Sequence, residues 1–367
     1  MSTYNDAASL DEMGWNSFFA ENFKLLQVPG SIPARVISER RNSYQVYSQC
    51  GVLSAQISGR LRYQSTTGDQ YPAIGDWVVV EPQNDQSKSV IHAVLPRQSK
   101  FSRKEPWLKT REQVIAANVD TIFIVSGLDG SRSLNLRRME RYLTLTWNSG
   151  AVPVIVLNKV DLCPDIDRCV REIEPVATGV PIHPVSAKER IGLDALKAYI
   201  ARGETVAFLG SSGVGKSALI NALLGVEYQE VGGVRQSDGK GRHTTSQRDL
   251  ILLPDGGAVI DTPGMREIQI WTDEENSQHA FKDIETLAQE CRFKDCQHRT
   301  EPGCAVRAAI QKGDLDVKRF DNYLKMQKEM HHLISRQDNK IRIEEKRKWK
   351  NISKLVKDLK KNNRIKP

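Results

Sequence analysis

The sequence predicts a multidomain α/β protein with a small N-terminal β-barrel, a central doubly wound α/β domain and a helical C-terminal domain. Three observations carry this prediction. Five short β-rich runs lie within residues 32–100, continuous apolar runs alternate with helical patterns over 113–272, and helical patterns beyond residue 273 surround a cysteine cluster. A chain of 367 residues is long enough for two or three domains.

We expect the chain to divide into five segments. The N-terminal residues show little pattern beyond a few aromatic side chains, which is typical of a mobile or loosely docked arm. The expected segments are a flexible arm at 1–31, an OB-type barrel at 32–105, an α/β domain at 106–272, a metal-binding helical domain at 273–345 and a basic tail at 346–367.

Composition places the chain among ordinary globular proteins, with 39% apolar and 27% charged residues. The sequence has no apolar run of about 18 residues, the length that would predict a membrane-spanning helix. The N-terminus carries early acidic residues and lacks the apolar core of a signal peptide. We therefore expect a cytoplasmic protein with no membrane partner. We also expect it to be a monomer.

The barrel prediction rests on β-rich runs separated by turn-rich sequence. The runs are ARVIS (34–38), YQVYS (44–48), VLSAQIS (52–58), DWVVVE (76–81) and SVIHAVL (89–95). Five short strands in about 70 residues are typical of the OB-fold, which often binds oligonucleotides. Arg97, Lys100 and Arg103 favour nucleic-acid contact. A barrel that only packs on its neighbour is an equal alternative.

The central domain is predicted from apolar runs that suit buried parallel strands. The runs are TIFIVS (121–126), VPVIVLN (152–158), PIHPVS (181–186), TVAFLG (205–210), LILLP (250–254) and AVIDTP (258–263). Between the first two, apolar residues recur at helical spacing. This alternation of strands and helices predicts a doubly wound sheet.

Residues 210–217, GSSGVGKS, follow one of these strands, precede a helical stretch and match the phosphate-loop pattern G-x-x-x-x-G-K-[ST]. Backbone N–H groups of such a loop surround phosphates, and the helix N-terminus adds positive potential. Lys216 is expected to reach the β- and γ-phosphates, and Ser217 to ligate Mg²⁺.

Two further segments complete a phosphate-sensing site. The glycine-rich stretch 232–249 resembles a switch that orders around the γ-phosphate, with Thr245, or else Thr244, as a second magnesium ligand. An ordinary surface loop is the alternative for this stretch. The segment DTPG ends the last strand, so Asp261 is expected to hold the magnesium through water and Gly264 to contact the γ-phosphate.

The motifs NKVD (158–161) and SAK (186–188) follow consecutive predicted strands and point to guanine. The Asp161 carboxylate can accept hydrogen bonds from guanine N1–H and its amino group, and Ala187 N–H can donate to O6. Adenine carries a donor at the O6 position, so the pair favours GTP over ATP. The residues expected to bind the nucleotide are Asn158, Lys159, Val160, Asp161, Ser186, Ala187, Lys188, Gly210, Ser211, Ser212, Gly213, Val214, Gly215, Lys216, Ser217, Ala218 and Asp261.

In this chain the base-reading motifs precede the phosphate loop, whereas most GTP-binding domains have the opposite order. We interpret the domain as a circular permutation, which is tolerable because the termini of compact domains often lie close together. The permuted order, GSSGVGKSALIN, GRHTT, DTPG and the cysteine cluster resemble the RsgA (YjeQ) family over nearly the whole chain. This resemblance implies a small-subunit-dependent GTPase that acts in late 30S assembly, contacts 16S rRNA and carries zinc.

Slow intrinsic hydrolysis is expected, because Met265 follows the DTPG glycine where many GTPases have a water-positioning glutamine. His243, beside the switch threonines, is a candidate for positioning water; a solvated or RNA-contacting histidine is the alternative. The expected catalytic residues are Lys216, His243, Thr245 and Gly264.

The C-terminal segment CRFKDCQHRTEPGC supplies Cys291, Cys296, His298 and Cys304. Three thiolates and one imidazole fill a tetrahedral shell, so we expect a structural zinc site with no open position. Three free cysteines and an unrelated histidine are the alternative. Cys50, Cys163 and Cys169 lack such neighbours in sequence and are expected to be core or surface residues.

The tail at 346–367 carries a net charge of +9 within a chain of net +8, so the other residues sum to −1. Trp349, Ile352, Val356 and Leu359 form an apolar stripe at helical spacing. We favour contact with rRNA phosphates; a helix docked on its own domain or an anionic membrane surface are alternatives.

Two other functions are compatible with these residues. An RNA-binding module that holds GTP as a structural ligand would show no stimulated turnover. A GTPase switch for a protein or membrane partner would show stimulation independent of ribosomal RNA.

Overall fold

A computed structural model describes residues 9–26, 28–40, 43–65, 67–83, 89–104, 112–130, 134–225, 249–253, 256–261 and 281–328. The chain forms two compact units, Met1–Lys282 and Asp283–Pro367. None of the described helices combines the length and apolarity that crossing a bilayer requires.

The first unit begins with a closed five-stranded barrel. Its strands are β1 (Ile32–Arg40), β2 (Ser43–Ser48), β3 (Gly51–Ile57), β4 (Trp77–Pro82) and β5 (Ser89–Val94). The hydrogen-bonded order is β1-β2-β3-β5-β4, and β1 also pairs with β4, which closes the barrel. Helix α2 (Gly59–Gln64) lies between β3 and β4 in sequence, and Ser58 Oγ caps it by accepting from Leu61 N–H. The predicted OB-type barrel is confirmed.

Alternating burial of side chains along strand β3 shows how the barrel core forms. In β3 the side chains of Leu53 and Ala55 are buried while their neighbours are more exposed, as period-two patterning requires. They pack with Val36, Val46 and Val78 from the adjoining strands. These β-branched side chains suit a pleated surface, and their burial drives barrel closure.

The segment before the barrel is better packed than the predicted loose arm. Residues 9–26 contain a 3₁₀ turn (Leu10–Met13) and helix α1 (Ser17–Leu26). Met13 and Phe19 are almost wholly buried. The Trp15 and Trp77 rings pack edge to face, with their centroids 4.7 Å apart. The expectation of a loose arm was therefore wrong for this segment, because its scattered aromatic residues share one cluster with the barrel. Residues 1–8 lie outside the described part of the chain.

A hairpin of β6 (Lys100–Lys104) and β7 (Glu112–Ala117) connects the barrel to the next domain. Just before it, the Arg97 guanidinium donates to both oxygens of the buried Asp76 carboxylate at 2.7 Å. It also donates to the carbonyls of Asp69 and Tyr71. Arg97 is thus a structural residue, and the sequence-based expectation that it favours nucleic-acid contact was wrong.

The nucleotide-type domain is built on six strands. They are β8 (Thr121–Gly127), β9 (Val152–Asn158), β10 (Ile182–Val185), β11 (Thr205–Gly210), β12 (Asp249–Leu252) and β13 (Ala258–Asp261). Their order is β10-β9-β8-β11-β13-β12, and only β12, among these described strands, runs antiparallel to its neighbour within the set. All six predicted strands are present, and the predicted permuted, doubly wound domain is confirmed.

Four helices connect these strands. They are α3 (Leu136–Ser149), α4 (Ile166–Ile173), α5 (Leu193–Lys197) and α6 (Lys216–Leu224). Helix α3 starts where the Asn135 side chain accepts from Arg138 N–H and ends at Gly150, whose φ of 86° suits glycine. Helices α5 and α6 cover the sheet through Leu196, Leu219 and Ile220, all fully buried.

One backbone pairing joins the two sheets. Ser38 on β1 pairs with Asp249 at the start of β12, so the barrel and the α/β domain form one continuous sheet of eleven strands. At this position the barrel pairs with the edge strand of the nucleotide-type domain.

The second unit is helical in the part that the structure describes. It contains most of α7 (Lys282–Gln289), α8 (Ala305–Lys312) and a helix over 317–328. The Cys304 Sγ accepts from Arg307 N–H at the start of α8, and Gly313, with φ of 84°, ends that helix. The cysteine cluster lies in the irregular segment between α7 and α8. This agrees with the predicted helical domain around the cluster.

Candidate functional site

The loops predicted to bind nucleotide come together at one edge of the sheet. Strands β8, β9 and β11 are parallel, so the segments that follow them emerge side by side. The phosphate loop follows β11, and NKVD continues from the end of β9. A crevice at the carboxyl ends of parallel strands is the usual ligand site of such sheets.

The phosphate loop needs its glycines for two different reasons. Gly213 and Gly215 have φ values of 80° and 96°, a region that side chains disfavour. A Cβ on Gly215 would also lie 2.3 Å from the Asn158 Nδ2 atom, whereas a Cβ on Gly213 would meet no atom within 4 Å. Gly215 is therefore required by close packing against the NKVD motif.

Lys216 is folded over the loop. Its Nζ donates to the carbonyls of Gly210 at 2.9 Å and Ser211 at 2.8 Å. These bonds hold an ammonium group beside the backbone N–H groups that would surround phosphate. The sequence-predicted lysine is thus placed at the loop, in a position from which its flexible side chain can turn to an anion.

Asn158 connects the base-reading and phosphate-reading segments. Its Nδ2 donates to the Val214 carbonyl at 2.9 Å, and its Oδ1 accepts from Ala187 N–H at 3.1 Å. One buried side chain therefore fixes NKVD against both the phosphate loop and SAK. A base that used Ala187 N–H as a donor to O6 would share or displace this second bond.

Asp161 is oriented by the SAK motif. The Ser186 hydroxyl donates to Asp161 Oδ1 at 2.6 Å, and Ser186 Oγ accepts from Glu189 N–H at 3.1 Å. Ser186 is fully buried, while Asp161 is exposed at the mouth of the site. This leaves the second carboxylate oxygen of Asp161 available to a base edge.

Lys159 has a partner that sequence reasoning missed. Its Nζ lies 2.5 Å from Asp129 Oδ2 and donates to the Gly213 carbonyl at 2.7 Å. Asp129 follows β8, the strand between β9 and β11. Its position just past the end of a central strand was the available signal.

Arg138 is a second residue missed from the sequence. From the first turn of α3, its Nη1 donates to the Ser211 hydroxyl at 2.6 Å. The contact joins a helix that lies far away in sequence to the phosphate loop. No single-sequence pattern distinguishes Arg138 from the neighbouring arginines of that helix.

The magnesium side is described only in part. Ser217 lies in the first turn of α6, and Asp261 ends β13, which is parallel to and paired with β11. Both therefore lie at the same edge as the phosphate loop. The predicted residues Thr244, Thr245, His243, Gly264 and Met265 lie outside the described residues, as does the basic tail at 346–367.

The C-terminal unit contains a second candidate site. One ligand atom from each of Cys291, Cys296, His298 and Cys304 lies within 4.8 Å of the others. His298 Nδ1 is 3.6 Å from Cys291 Sγ and 3.4 Å from Cys304 Sγ, and the two sulfurs are 3.9 Å apart. Bond lengths of about 2.0–2.3 Å to a tetrahedral zinc separate neighbouring ligands by roughly 3.5–3.8 Å. The four residues predicted as metal ligands therefore fit one such ion.

Local backbone geometry and charge both suit metal binding. His298 adopts a left-handed backbone conformation with a φ of 59°, and its Nδ1 faces the Cys291 and Cys304 sulfurs. Burial lowers the pKa of His298, which favours the neutral imidazole that coordination requires. Among the described residues, this is the one cluster of at least three potential ligands.

Comparison with known proteins agrees with this site. The RsgA GTPase family model matches residues 94–271. A model described as ABC transporter also matches residues 193–363. That range contains the phosphate loop, which many nucleotide-binding families share, but neither NKVD nor SAK.

Curated relatives match over nearly their whole length. "Small ribosomal subunit biogenesis GTPase RsgA 1" of Oceanobacillus iheyensis is 43% identical over 321 residues, covering 87% of this chain and 91% of the relative. "Small ribosomal subunit biogenesis GTPase RsgA" of Opitutus terrae is 43% identical over 353 residues, covering 94% and 96%.

Solved structures give the same result. The crystal structure of YjeQ from Thermotoga maritima superposes with a TM-score of 0.61 and 30% identity, covering 81% of this chain and 97% of that one. YloQ, described as a circularly permuted GTPase, superposes with a TM-score of 0.59 at 24% identity and supports the fold. With its permuted motif order and these full-length relatives, the chain belongs to the RsgA GTPase family.

Proposed function

We propose that the protein is a GTPase of ribosome biogenesis that binds the small ribosomal subunit and assists its late maturation. It hydrolyses GTP to GDP and phosphate, and the docked subunit stimulates this reaction. GTP favours docking, and hydrolysis favours release. The protein acts as a cytoplasmic monomer.

One observation carries the nucleotide assignment: the Asn158 side chain bonds both Val214 of the phosphate loop and Ala187 of SAK. Two segments with separate tasks are thereby held in one rigid arrangement, as binding of base and phosphate together requires. Asp161, oriented by Ser186, selects guanine by accepting from its N1–H and amino group. These contacts support the interpretation of both motifs as parts of one nucleotide site.

The chemistry is attack of water on the γ-phosphate. Lys216 turns from the loop carbonyls to the β- and γ-phosphates and offsets negative charge that develops in the transition state. Ser217, Asp261 and Thr245 would hold Mg²⁺, which neutralises phosphate charge when bound. Gly264 contacts the γ-phosphate, and His243 orients the water. Met265 cannot orient water, so the docked partner completes the site.

The ribosomal assignment rests on the names of the relatives, which are small-subunit biogenesis GTPases. The barrel offers a surface suited to 16S rRNA. On α2 the Tyr63 side chain is 90% exposed, and Arg60 and Arg62 are exposed beside it. An exposed aromatic ring on the same short helix as two exposed arginines can stack on a base while the arginines meet phosphates. The tail at 346–367 adds sequence-independent attraction through its net charge of +9.

The Cys291, Cys296, His298 and Cys304 cluster holds one structural zinc. All four positions come from the protein, so no site remains for a reacting water. Zinc supplies stability that this small irregular segment cannot obtain from an apolar core.

Phosphate release from GTP tests the function. We expect slow release by the protein alone, strong stimulation by 30S subunits, and little effect of 50S subunits or of ATP in place of GTP. Equal slow release in every reaction would favour an RNA-binding module that uses GTP as a ligand. Stimulation by a ribosome-free lysate but not by 30S would favour another partner.

An Asp161→Asn variant tests base selection. The amide replaces one acceptor with a donor, so affinity for GDP should fall by about tenfold to a hundredfold while affinity for xanthosine diphosphate rises. Asp167→Asn, an exposed position on α4, is the matched control and should leave both affinities unchanged. Unchanged selectivity in Asp161→Asn would reopen ATP as the substrate.

A His243→Ala variant tests water positioning. Turnover stimulated by 30S should fall while GTP affinity stays unchanged. If stimulated turnover is intact at equal GTP binding, His243 has no catalytic role.

A further inference from the structure

We propose that Cys163 and Cys169 are a redox-sensitive pair whose reversible disulfide, formed by peroxide, weakens guanine-nucleotide binding. The two thiols lie beside the guanine-reading motif and outside the proposed zinc site. The disulfide itself is independent of the assigned nucleotide function, but its effect on affinity rests on the proposed base-reading role of Asp161.

The sulfur atoms are close but not bonded. Cys163 Sγ lies 3.7 Å from Cys169 Sγ, and both side chains are partly exposed. A disulfide has an S–S length of about 2.05 Å, so each sulfur needs to move by less than about 1 Å. Partial exposure gives a small oxidant access to the pair.

The pair joins two separate pieces of backbone. Cys163 follows the 3₁₀ turn Val160–Leu162, and its N–H donates to the Val160 carbonyl. Cys169 lies in α4, which begins where the Asp165 side chain accepts from Arg168 N–H. In the reduced state the two thiols pack the chain that enters α4 against its first turn.

A metal is a poorer fit to this pair. Among the described residues, the one group of three or more clustered potential ligands is the C-terminal one, so no third His, Cys, Asp or Glu completes a site here. Two thiols without further ligands suit mutual oxidation better than zinc, which prefers four protein ligands in structural sites. Disulfides that form in proteins of reducing compartments are usually transient, with catalytic or redox-sensing roles.

The chemistry balances with peroxide as the oxidant. The Cys163 thiolate attacks one peroxide oxygen, the O–O bond breaks, and protonated hydroxide leaves as water, which gives a sulfenic acid. Cys169 sulfur then attacks the Cys163 sulfur, the S–O bond breaks, and a second water leaves. Two thiols lose two electrons and peroxide gains them. Burial and contact with Cys163 raise the pKa of Cys169, and the same two steps with the roles of the two cysteines exchanged give the same disulfide.

The disulfide acts on the site through the 3₁₀ turn. Asp161 lies in that turn, two residues before Cys163, and its carboxylate is positioned by Ser186 Oγ at 2.6 Å. Pulling Cys163 towards α4 rotates the turn and displaces Asp161 from its orientation. Losing well-aligned bonds to the base should weaken GDP binding about tenfold, which corresponds to about 1.4 kcal/mol.

The test uses the full-length, zinc-loaded protein titrated with hydrogen peroxide. Trypsin cleaves after Lys159, Arg168 and Arg171, so the disulfide joins peptides 160–168 and 169–171 and is identified by their combined mass. Affinity is measured with a fluorescent GDP analogue before oxidation, after oxidation and after dithiothreitol. Zinc release is followed with a chromogenic chelator, so that oxidation of the C-terminal cysteines is recognised.

We expect the linked peptide to form before zinc is released, with about tenfold weaker GDP binding that dithiothreitol reverses. Cys163→Ser and Cys169→Ser should each abolish the response, while Cys50→Ser, which keeps the pair, should respond like the wild type. No linked peptide before zinc release, or a linked peptide with unchanged GDP affinity, overturns the proposal. Competition by ADP against the reduced protein separately tests the guanine assignment, so the two failures are distinguishable.

Discussion

The Arg35 guanidinium on the first barrel strand donates to the Thr205 hydroxyl at 2.9 Å, at the start of the strand that leads into the phosphate loop. Arg35 also donates to the carbonyls of Met13, Gly75 and Asn118 and lies over the Trp77 ring. A single buried cation thus joins the N-terminal segment, the barrel and the α/β domain.

Arg35→Ala should destabilise the first unit by about 3–5 kcal/mol, because several buried acceptors lose their donor together. Desolvation lowers the pKa of Arg35 to about 10, so the side chain is charged at neutral pH and its loss removes a cation near Asp120 and Asp76. Urea unfolding followed by tryptophan fluorescence measures the change. Arg40→Ala, on the same strand but exposed, should change stability by less than about 0.5 kcal/mol. Equal effects of the two variants would contradict this role.

Gly215→Ala should reduce GDP affinity at least about a hundredfold, because the added Cβ would press on Asn158 and separate NKVD from the phosphate loop. Gly213→Ala is the matched comparison, since it carries the same left-handed backbone cost, about 1–2 kcal/mol, without the clash. Isothermal titration with GDP distinguishes them. If Gly213→Ala proves the more damaging, close packing against Asn158 is not what the loop requires.

The Glu285→Gln substitution should stabilise helix α7 relative to the wild type, and this difference in stability should grow as pH rises. Burial, reinforced by Asp283, raises the pKa of Glu285 from 4.5 to about 7. Because the folded pKa exceeds the unfolded one, the stability that Glu285 contributes is complete below about pH 4.5 and is lost as pH rises through about 7.

Hydrogen exchange of α7 amides, compared between variants at each pH, should show equal protection at pH 5. At pH 8 we expect about threefold greater protection in Glu285→Gln, a modest effect because the group is half-buried. The exposed Glu290→Gln variant is the control, and it should match the wild type throughout. A constant difference across the pH range would argue against titration of Glu285.

Removal of zinc should unfold the segment around Cys291–Cys304. Structural zinc sites in small domains contribute about 10–16 kcal/mol of apparent binding free energy at neutral pH, which is folding free energy for the segment. A strong chelator, or Cys304→Ser, should abolish amide protection over 291–312 while leaving the barrel protected. Cys50→Ser should retain one zinc per chain by atomic absorption. If the amides of 291–312 stay protected without metal, packing of the cysteine side chains and not zinc stabilises this segment.

Strand patterning was the most dependable guide to this fold, because barrel strand β3 buries alternate side chains, whereas β9 and β11 are buried on both faces along almost their whole length. Motifs located the nucleotide loops for the same local reason: their glycines and following helix are set by nearby sequence. The packing of Trp15 and Phe19 on Trp77 was missed. Aromatic residues that follow no helical or strand periodicity do not indicate which residues they pack against.

Long-range polar contacts were beyond reach from one sequence. Arg97 read as a surface cation, yet Asp76 and two carbonyls enclose it, and only the closed barrel reveals them. Asp129 and Arg138 were likewise unmarked, because their partners, Lys159 and Ser211, lie 30 and 73 residues away in the sequence. Charge alone does not separate a buried ion pair from a nucleic-acid contact.

The position of β11 between β8 and β13 has a consequence for biosynthesis. The ribosome makes β8, β9 and β10 before β11. The edge of β8 that pairs with β11 therefore has no partner strand until residues 205–210 leave the exit tunnel. The barrel, whose strands end at residue 94, is complete much earlier. A nascent chain therefore carries a folded barrel and half a sheet before its phosphate loop exists, and it can gain nucleotide affinity only after residues 205–217 have emerged.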